Sequence, residues 1–541
     1  MAADAVAPPQ HHASFENYVE GVLAELRRDP GRPALVAADG RTITAGTLHD
    51  EVRAAAAGLA ACGVRRGDSV AFLTGDRPEA VVARYAANLL GARVLFLGAG
   101  MSAAVQADIV ASVDATVLLV DPECRAAAEA LLARVAVPAV LTLGTPLPSP
   151  GATPTTEPAT EPAPGPATGP TAQPAAERAA QPAADPVRPE DDWCLRFTGG
   201  TTGTPKGIPM AHGPYRQLLD RLAGRLRADA PPRALACTSL AHMAGILADA
   251  ALLAGGTVVL RPGFDPGDVL AALERERITD VWLLPPLLYE LLDHPAAAGA
   301  DLSALRRLFY GGTVASAERL RQAAALFGPV LHGWYGQTEA GSITEVGPHE
   351  HGITGPGGRI TAGRAEPGVV IEIRDPAGAV LPAGENGEVH VRTPMTMTGY
   401  WRRPDLTAEV LHEGWIRTGD VGHLDAAGYL HLVDRLKDMV VVVGGHVYPA
   451  DVEQALLAHP AVSRCAAFGV QRADGTEELH VAIVPAAGHR PDGGPVRAFV
   501  TERLGPMYAP AAVHVVERLP LTEVGKPDRR LLRATLASGR T

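Results

Sequence analysis

The sequence is short of cysteine, of net positive charge and of long apolar runs, and each shortage removes a class of protein. Five cysteines in 541 residues (Cys62, Cys124, Cys194, Cys237, Cys465) are scattered without C-x-x-C spacing. Neither a thiolate metal site nor a disulfide framework is expected, and the thiols read as reduced groups of a cytoplasmic protein. Acidic residues outnumber basic ones by 60 to 48, a net charge of −12, which argues against a nucleic-acid partner. No apolar run approaches membrane-spanning length, and Met1–His12 has neither the basic start nor the apolar core of a signal peptide. Chemical signatures are missing too. No Gly-Lys-Ser/Thr marks a Walker loop, no G-x-G-x-x-G opens an early helix, and Ser239 does not sit in G-x-S-x-G.

What is there instead is Phe197–Gly207, FTGGTTGTPKG, with four glycines, four threonines and one lysine. Glycine permits backbone angles that side chains forbid, so such a loop can turn its N–H groups inward around a phosphate chain. Threonine hydroxyls add donors and Lys206 a compact positive charge.

The rest of the chain has an ordinary globular balance, 47% apolar and 20% charged, and is too long for one core, so at least two domains are expected. From Phe15 to Thr145, helical patterns alternate with short apolar runs. Thr44–Ala61 and Pro78–Leu90 read as helices, and Ser69–Leu73, Val117–Val120 and Ala139–Thr142 as strands, which implies a parallel sheet covered by helices. Residues 1–14 read as a flexible N-terminus. Residues 145–189, rich in Pro, Ala, Thr and Glu, lack the apolar surface that would offset ordering entropy and read as a disordered insertion, either a solvated linker or a recognition segment. Further on, helices are expected at Asp265–Glu276 and from Pro285, and strands at Asp280–Leu284 and Leu305–Tyr310, the latter ending in Gly311-Gly312-Thr313.

The Thr198–Lys206 loop resembles the phosphate-binding signature of the acyl-adenylate-forming (ANL) superfamily, in which Ser is usual where Gly199 stands. A second segment, Trp334–Gly341 (WYGQTEAG), resembles that superfamily's next signature, and the likeness runs from about Phe15 to the C-terminus. The resemblance implies an α/β fold with a large N-terminal domain, residues 15–436, and a small mobile C-terminal α+β lid, residues 437–541. It implies ATP and Mg²⁺ as cofactors and coenzyme A as the thiol. ATP would be held by Thr198, Gly199, Gly200, Thr201, Thr202, Gly203, Lys206, Gly312, Tyr335, Gly336, Thr338, Asp420 and Arg435. Within that set Tyr335 would lie against adenine, Thr338 on the α-phosphate and Asp420 on the ribose, with Glu339 on magnesium. Lys526, in LPLTEVGKPDRRLL, would bridge the attacking carboxylate and the α-phosphate. His242 would stand beside the substrate carboxylate; by itself, a histidine among apolar residues also fits a satisfied core position.

The acyl pocket implied by the likeness comprises Met243, Ala244, Gly245, Tyr310, Gly312, Trp334 and Ser342. Amino-acid-activating relatives carry an Asp in this region to pair with the ammonium. Ala241–Leu247 contains no acid, and Asp249 falls too far along the helix. An unpaired buried ammonium is costly, so an aromatic or fatty acid is expected rather than a standard α-amino acid. Lys437 stands at the hinge position and Gly444 at the thiol tunnel. Two departures, Val441 where Lys or Asn is common and His446 where Asn or Gln is usual, weaken the case for ordinary thioester formation. The acceptor therefore stays open between coenzyme A, an acyl carrier protein and a nitrogen nucleophile, the last including capture after activation of another oxyacid such as nitrite. A non-catalytic adenylate-fold protein would have lost Lys526, Glu339 or Asp420, and all three are present.

Overall fold

The computed structural model describes residues 15–98, 101–145, 186–198, 205–228, 230–355, 358–436, 440–442, 445–472, 477–522 and 526–536. Two compact units emerge, Met1–Gly263 and Phe264–Thr541.

In the first unit the expected strands assemble into one sheet of six, in the order Ala139–Thr142, Val117–Val120, Ser69–Leu73, Arg93–Phe96, Asp192–Thr198, Lys206–Ala211. Every pairing is parallel except the last, which folds back across the phosphate-loop sequence. Ser69–Leu73 and Val117–Val120 are buried at every position, as strands covered on both faces must be. The helix Ala45–Ala61 starts where Thr44 accepts a hydrogen bond from the Thr47 N–H and stops before Gly63, whose φ of 88° an L side chain would strain. A second group of strands runs Arg233–Ala236, Thr257–Leu260, Pro33–Val36, Thr42–Thr44, antiparallel only at its last pair.

The two ends of the segment that composition set apart as 145–189 are among the described residues. Thr145 Oγ1 donates to the Thr142 carbonyl at 2.6 Å, and the Pro189 carbonyl accepts from Gly213 N–H at 2.7 Å. Both flanks are thus tied to the fold, while 146–185 lie outside the described residues.

In the second unit Asp280–Leu283, Arg307–Gly311 and Leu331–Gln337 run parallel, and Gly341–Val346 and Arg364–Ala365 continue antiparallel. An antiparallel sheet follows, built on Gly387–Arg392, Trp415–Leu424 and Leu430–Arg435. The C-terminal segment contains the hairpin Val440–Val442/Gly445–Val447 and a three-stranded sheet of Val462–Gln471, Glu477–Pro485 and Ala512–Val515. Val440, Val447, Val452, Val481 and Val496 share its core. The chain is thus mixed α/β, and among the described residues no helix is long and apolar enough to cross a membrane.

Candidate active site

In the second unit, three glycines shape the turn ends that carry the candidate nucleotide residues. A Cβ on Gly311 would lie 2.2 Å from the Trp334 carbonyl, and one on Gly336 would lie 2.3 Å from the Gly341 carbonyl. Gly312 has φ 83°, which only glycine adopts cheaply. The strand Leu331–Gln337 can therefore lie tight against its neighbours and deliver Tyr335 at its end and Thr338–Glu339 in the turn beyond it.

Tyr335 donates its phenol proton to Asp420 Oδ2 at 2.7 Å. Asp420 and Arg435 are cross-strand partners, and the Arg435 Nε reaches Asp420 Oδ1 at 2.8 Å. The Asp420 carboxylate, 4% exposed, is held at both oxygens. Burial and then the adjacent Asp420 charge push the Tyr335 phenol well up, so it stays a donor. The structure thus brings Tyr335, Asp420 and Arg435 together around one oriented carboxylate, a group chemically suited to accept from a vicinal diol.

Glu339 accepts the Tyr400 phenol proton at Oε1, 2.9 Å. Among the described residues no group of three or more His, Cys, Asp or Glu side chains could enclose a metal ion. A single hard carboxylate still fits magnesium, which is usually held by one or two carboxylates together with substrate phosphates.

The pocket candidates of this unit are more committed than the sequence implied. Tyr310 is buried and hydrogen-bonds His351 Nε2 at 3.0 Å, and a Cβ on Gly333 would fall 2.6 Å from the Tyr310 hydroxyl. Trp334 packs on Phe309 and Trp282, with ring centroids 4.8 and 5.7 Å away. Ser342 donates to Glu366 Oε1 at 2.6 Å. Lys526 is tied to Thr522 by two hydrogen bonds, its carbonyl accepting from Thr522 N–H at 2.7 Å and its N–H donating to Thr522 Oγ1 at 3.2 Å.

In the first unit His242 is the cap residue of the helix Met243–Leu253 and is exposed. This corrects the core-histidine alternative. Ala244 and Gly245 are buried, and a Cβ on Gly245 would meet the Leu240 carbonyl at 2.0 Å. That close approach by itself requires a glycine at this position. Asp249 is buried and bound by Arg84, by the Tyr85 hydroxyl at 2.6 Å and by the Tyr215 hydroxyl at 2.6 Å. Its oxygens are occupied within the core.

Lys206 opens the strand Lys206–Ala211. Gly199, Gly200, Thr201, Thr202, Gly203, Lys437 and Gly444 lie outside the described residues, as do the side chains of Thr198, Val441 and His446. Sequence reasoning missed Tyr400, His351 and Glu366, each distant in sequence from the candidate residue it touches, and Asp76, which binds beside His242. Asp76 Oδ1 accepts from the Leu240 N–H at 2.8 Å, at the root of the His242 turn.

Comparison with known proteins finds matches along most of the chain. The model of the family described as AMP-binding enzyme matches residues 23–401, and that of the AMP-binding enzyme C-terminal domain matches residues 451–526. A medium/long-chain-fatty-acid–CoA ligase, FadD8 of Mycobacterium tuberculosis, is 32% identical, covering 96% of this chain and 90% of its own. Feruloyl-CoA synthase of an Amycolatopsis species is 34% identical over 90% and 92%. Among solved structures, the amide bond synthetase McbA from Marinactinospora thermotolerans superposes with a TM-score of 0.81 at 36% identity, covering 96% of this chain and 99% of that one.

Proposed function

We propose, from the premise that this chain belongs to the AMP-binding enzyme family and is an AMP-forming acid ligase of the ANL superfamily, that it activates an aromatic or fatty carboxylic acid and passes the acyl group to coenzyme A. The acid attacks the α-phosphorus of ATP, forming the acyl–oxygen–phosphorus bond of an acyl-AMP and releasing pyrophosphate. The thiolate of coenzyme A then attacks the acyl carbon and AMP leaves.

The observation that carries the reading is the Tyr335–Asp420–Arg435 constellation, in which Tyr335, on the strand leading directly into Thr338 and Glu339, meets an Asp420–Arg435 pair on two neighbouring strands of another sheet. Asp420, held at both oxygens before ATP arrives, would anchor the ribose without reorganising. Thr338 would donate to the α-phosphate, and Glu339 would hold the magnesium that neutralises phosphate charge. Lys526 would contribute the positive charge that stabilises the transition state. Commitment of Asp249 to Arg84, Tyr85 and Tyr215 supports an acid without an α-ammonium, in line with relatives named for fatty and hydroxycinnamic acids.

A second reading has support of its own. The amide bond synthetase is 36% identical over nearly the whole chain, and Val441 and His446 depart from the usual residues at the thiol-side turn. On that reading an amine attacks the acyl-AMP, forming an amide and releasing AMP.

The test is acid-dependent pyrophosphate release with pooled aryl, fatty and amino acids, followed by product analysis with coenzyme A or an amine supplied. Release with aryl or fatty acids, reduced about a hundredfold or more in Lys526→Ala, and a thioester product are expected. An amide formed in preference to the thioester would favour the second reading. Release with α-amino acids only would overturn the assigned acid class.

A further inference from the structure

We infer that Tyr400 is a positioning residue for magnesium, fixing the Glu339 carboxylate so that one of its oxygens faces the cation; the inference rests on the reading of Glu339 above. Tyr400 is 61 residues from Glu339 in sequence, yet its hydroxyl donates to Oε1 at 2.9 Å.

The contact belongs to a clasp. The segment Thr393–Tyr400 grips the turn Gln337–Gly341 at its backbone and at its side chain. Thr393 Oγ1 donates to the Ala340 carbonyl at 2.5 Å, and the Met397 N–H donates to the Glu339 carbonyl at 2.8 Å. A Cβ on Gly341 would lie 2.7 Å from the Met395 Cβ, so Met395 closes over the end of the turn. The backbone of Glu339 is thus pinned by Met397 and its carboxylate by Tyr400.

The clasp is itself anchored. Tyr400 N–H donates to Thr407 Oγ1 at 2.9 Å, and the ring is 8% exposed. A hydrogen bond to one oxygen of a ligating carboxylate selects its rotamer and leaves the other oxygen for the metal. Without the phenol, the Glu339 side chain would have to be ordered by the metal at the moment of binding. The backbone pins alone do not set a carboxylate rotamer, so the function falls to the Tyr400 hydroxyl.

The test compares wild type, Tyr400→Phe, Glu339→Gln and the double variant. Phenylalanine keeps the ring and the Thr407 contact and removes only the hydroxyl. Calorimetric titration of ATP without acid, at low and saturating magnesium, gives a readout independent of turnover. Initial rates against magnesium concentration give the second. For Tyr400→Phe the magnesium concentration for half-maximal adenylation should rise about 10- to 100-fold, and the magnesium-dependent gain in ATP affinity should shrink, with metal-free ATP binding unchanged. In the Glu339→Gln background, Tyr400→Phe should add nothing.

A Tyr400→Phe protein with wild-type magnesium dependence, beside a shifted Glu339→Gln, overturns the inference and leaves the reading of Glu339 standing. Loss of metal-free ATP binding in Tyr400→Phe also overturns it, because the hydroxyl would then be supporting the fold. Unchanged magnesium dependence in Glu339→Gln overturns the Glu339 reading and the inference with it.

Discussion

A single residue shows how burial decides function here. Asp249 is the first acid after the His242 turn, and sequence spacing set it aside as too distant to meet a substrate ammonium. The structure supplies a stronger reason, since its carboxylate is bound by Arg84, Tyr85 and Tyr215. Tyr18 packs edge-on to Tyr85 and Tyr215, and its hydroxyl donates to Asn88 at 2.7 Å. Burial drives the Tyr18, Tyr85 and Tyr215 phenols upward, so they remain neutral donors. Arg84 is 2% exposed and Asp249 is 0% exposed. Removing one partner of such a pair strands the other charge in a low-dielectric interior. Asp249→Ala should therefore lower unfolding stability by about 3–5 kcal/mol, read by urea unfolding. Asp249→Asn combined with Arg84→Met should lose far less, because it strands no charge and keeps an acceptor for the tyrosines. A loss in the double variant as large as in Asp249→Ala would show that the ion pair is not the source of the stability.

At the scale of one turn, Ser239–Gly245 positions His242 through contacts that the local sequence does not announce. The Leu240 N–H donates to Asp76, 164 residues away, and Gly245 packs on the Leu240 carbonyl. Burial pushes the Asp76 carboxyl from 3.8 up to about 6, opposed by the Leu240 N–H and by Arg84. The folded protein thus holds a proton on Asp76 that the unfolded chain has released between those two values. Stability from this group falls as pH rises through the window, by at most about 1.4 kcal/mol per pH unit. Asp76→Asn keeps an acceptor and abolishes the titration, so it should be more stable than wild type at pH 7 and converge with it near pH 4; urea midpoints across that range check the sign. Short-range patterns in the sequence made the parallel strands and their helices legible, because apolar period is a local property, whereas the adenine and ribose roles were implied by the family resemblance alone. Asp76 with Leu240, Glu339 with Tyr400 and Tyr310 with His351 were not legible, since topology brings them together across 164, 61 and 41 residues. The approach of the Leu240 carbonyl to Gly245 was not legible either, because a sequence shows a missing side chain but not what lies against it.

For the molecule as a whole, the consequential contacts are those that cross the sequence position of the proposed hinge at Lys437. Asp434 Oδ2, before it, accepts from the Ala450 N–H at 3.0 Å. Arg359 binds both the Leu432 carbonyl, at 3.1 Å, and the Asp451 carboxylate. Arg464, on the strand Val462–Gln471, meets Glu290, on the helix Pro285–Asp293, at 2.9 Å. A swing of residues 437–541 between the adenylation and acyl-transfer steps would break all three contacts, so each biases the protein toward the orientation that contains it. The Arg464–Glu290 pair touches none of the candidate catalytic residues, which makes it a clean probe. Partly exposed pairs are worth about 0.2–1 kcal/mol, so Glu290→Ala should change the ratio of the two half-reaction rates by no more than about fivefold. Single-turnover pyrophosphate release would report the first step, and thioester formation from supplied acyl-AMP the second. Arg464→Ala should move the ratio in the same direction, and the double variant should move it no further than either single change, because all three remove the same contact. Additive effects would mean that Glu290 and Arg464 act through different partners. An unchanged ratio in all three variants would mean that this contact persists through both steps, and the moving segment would then have to exclude Arg464.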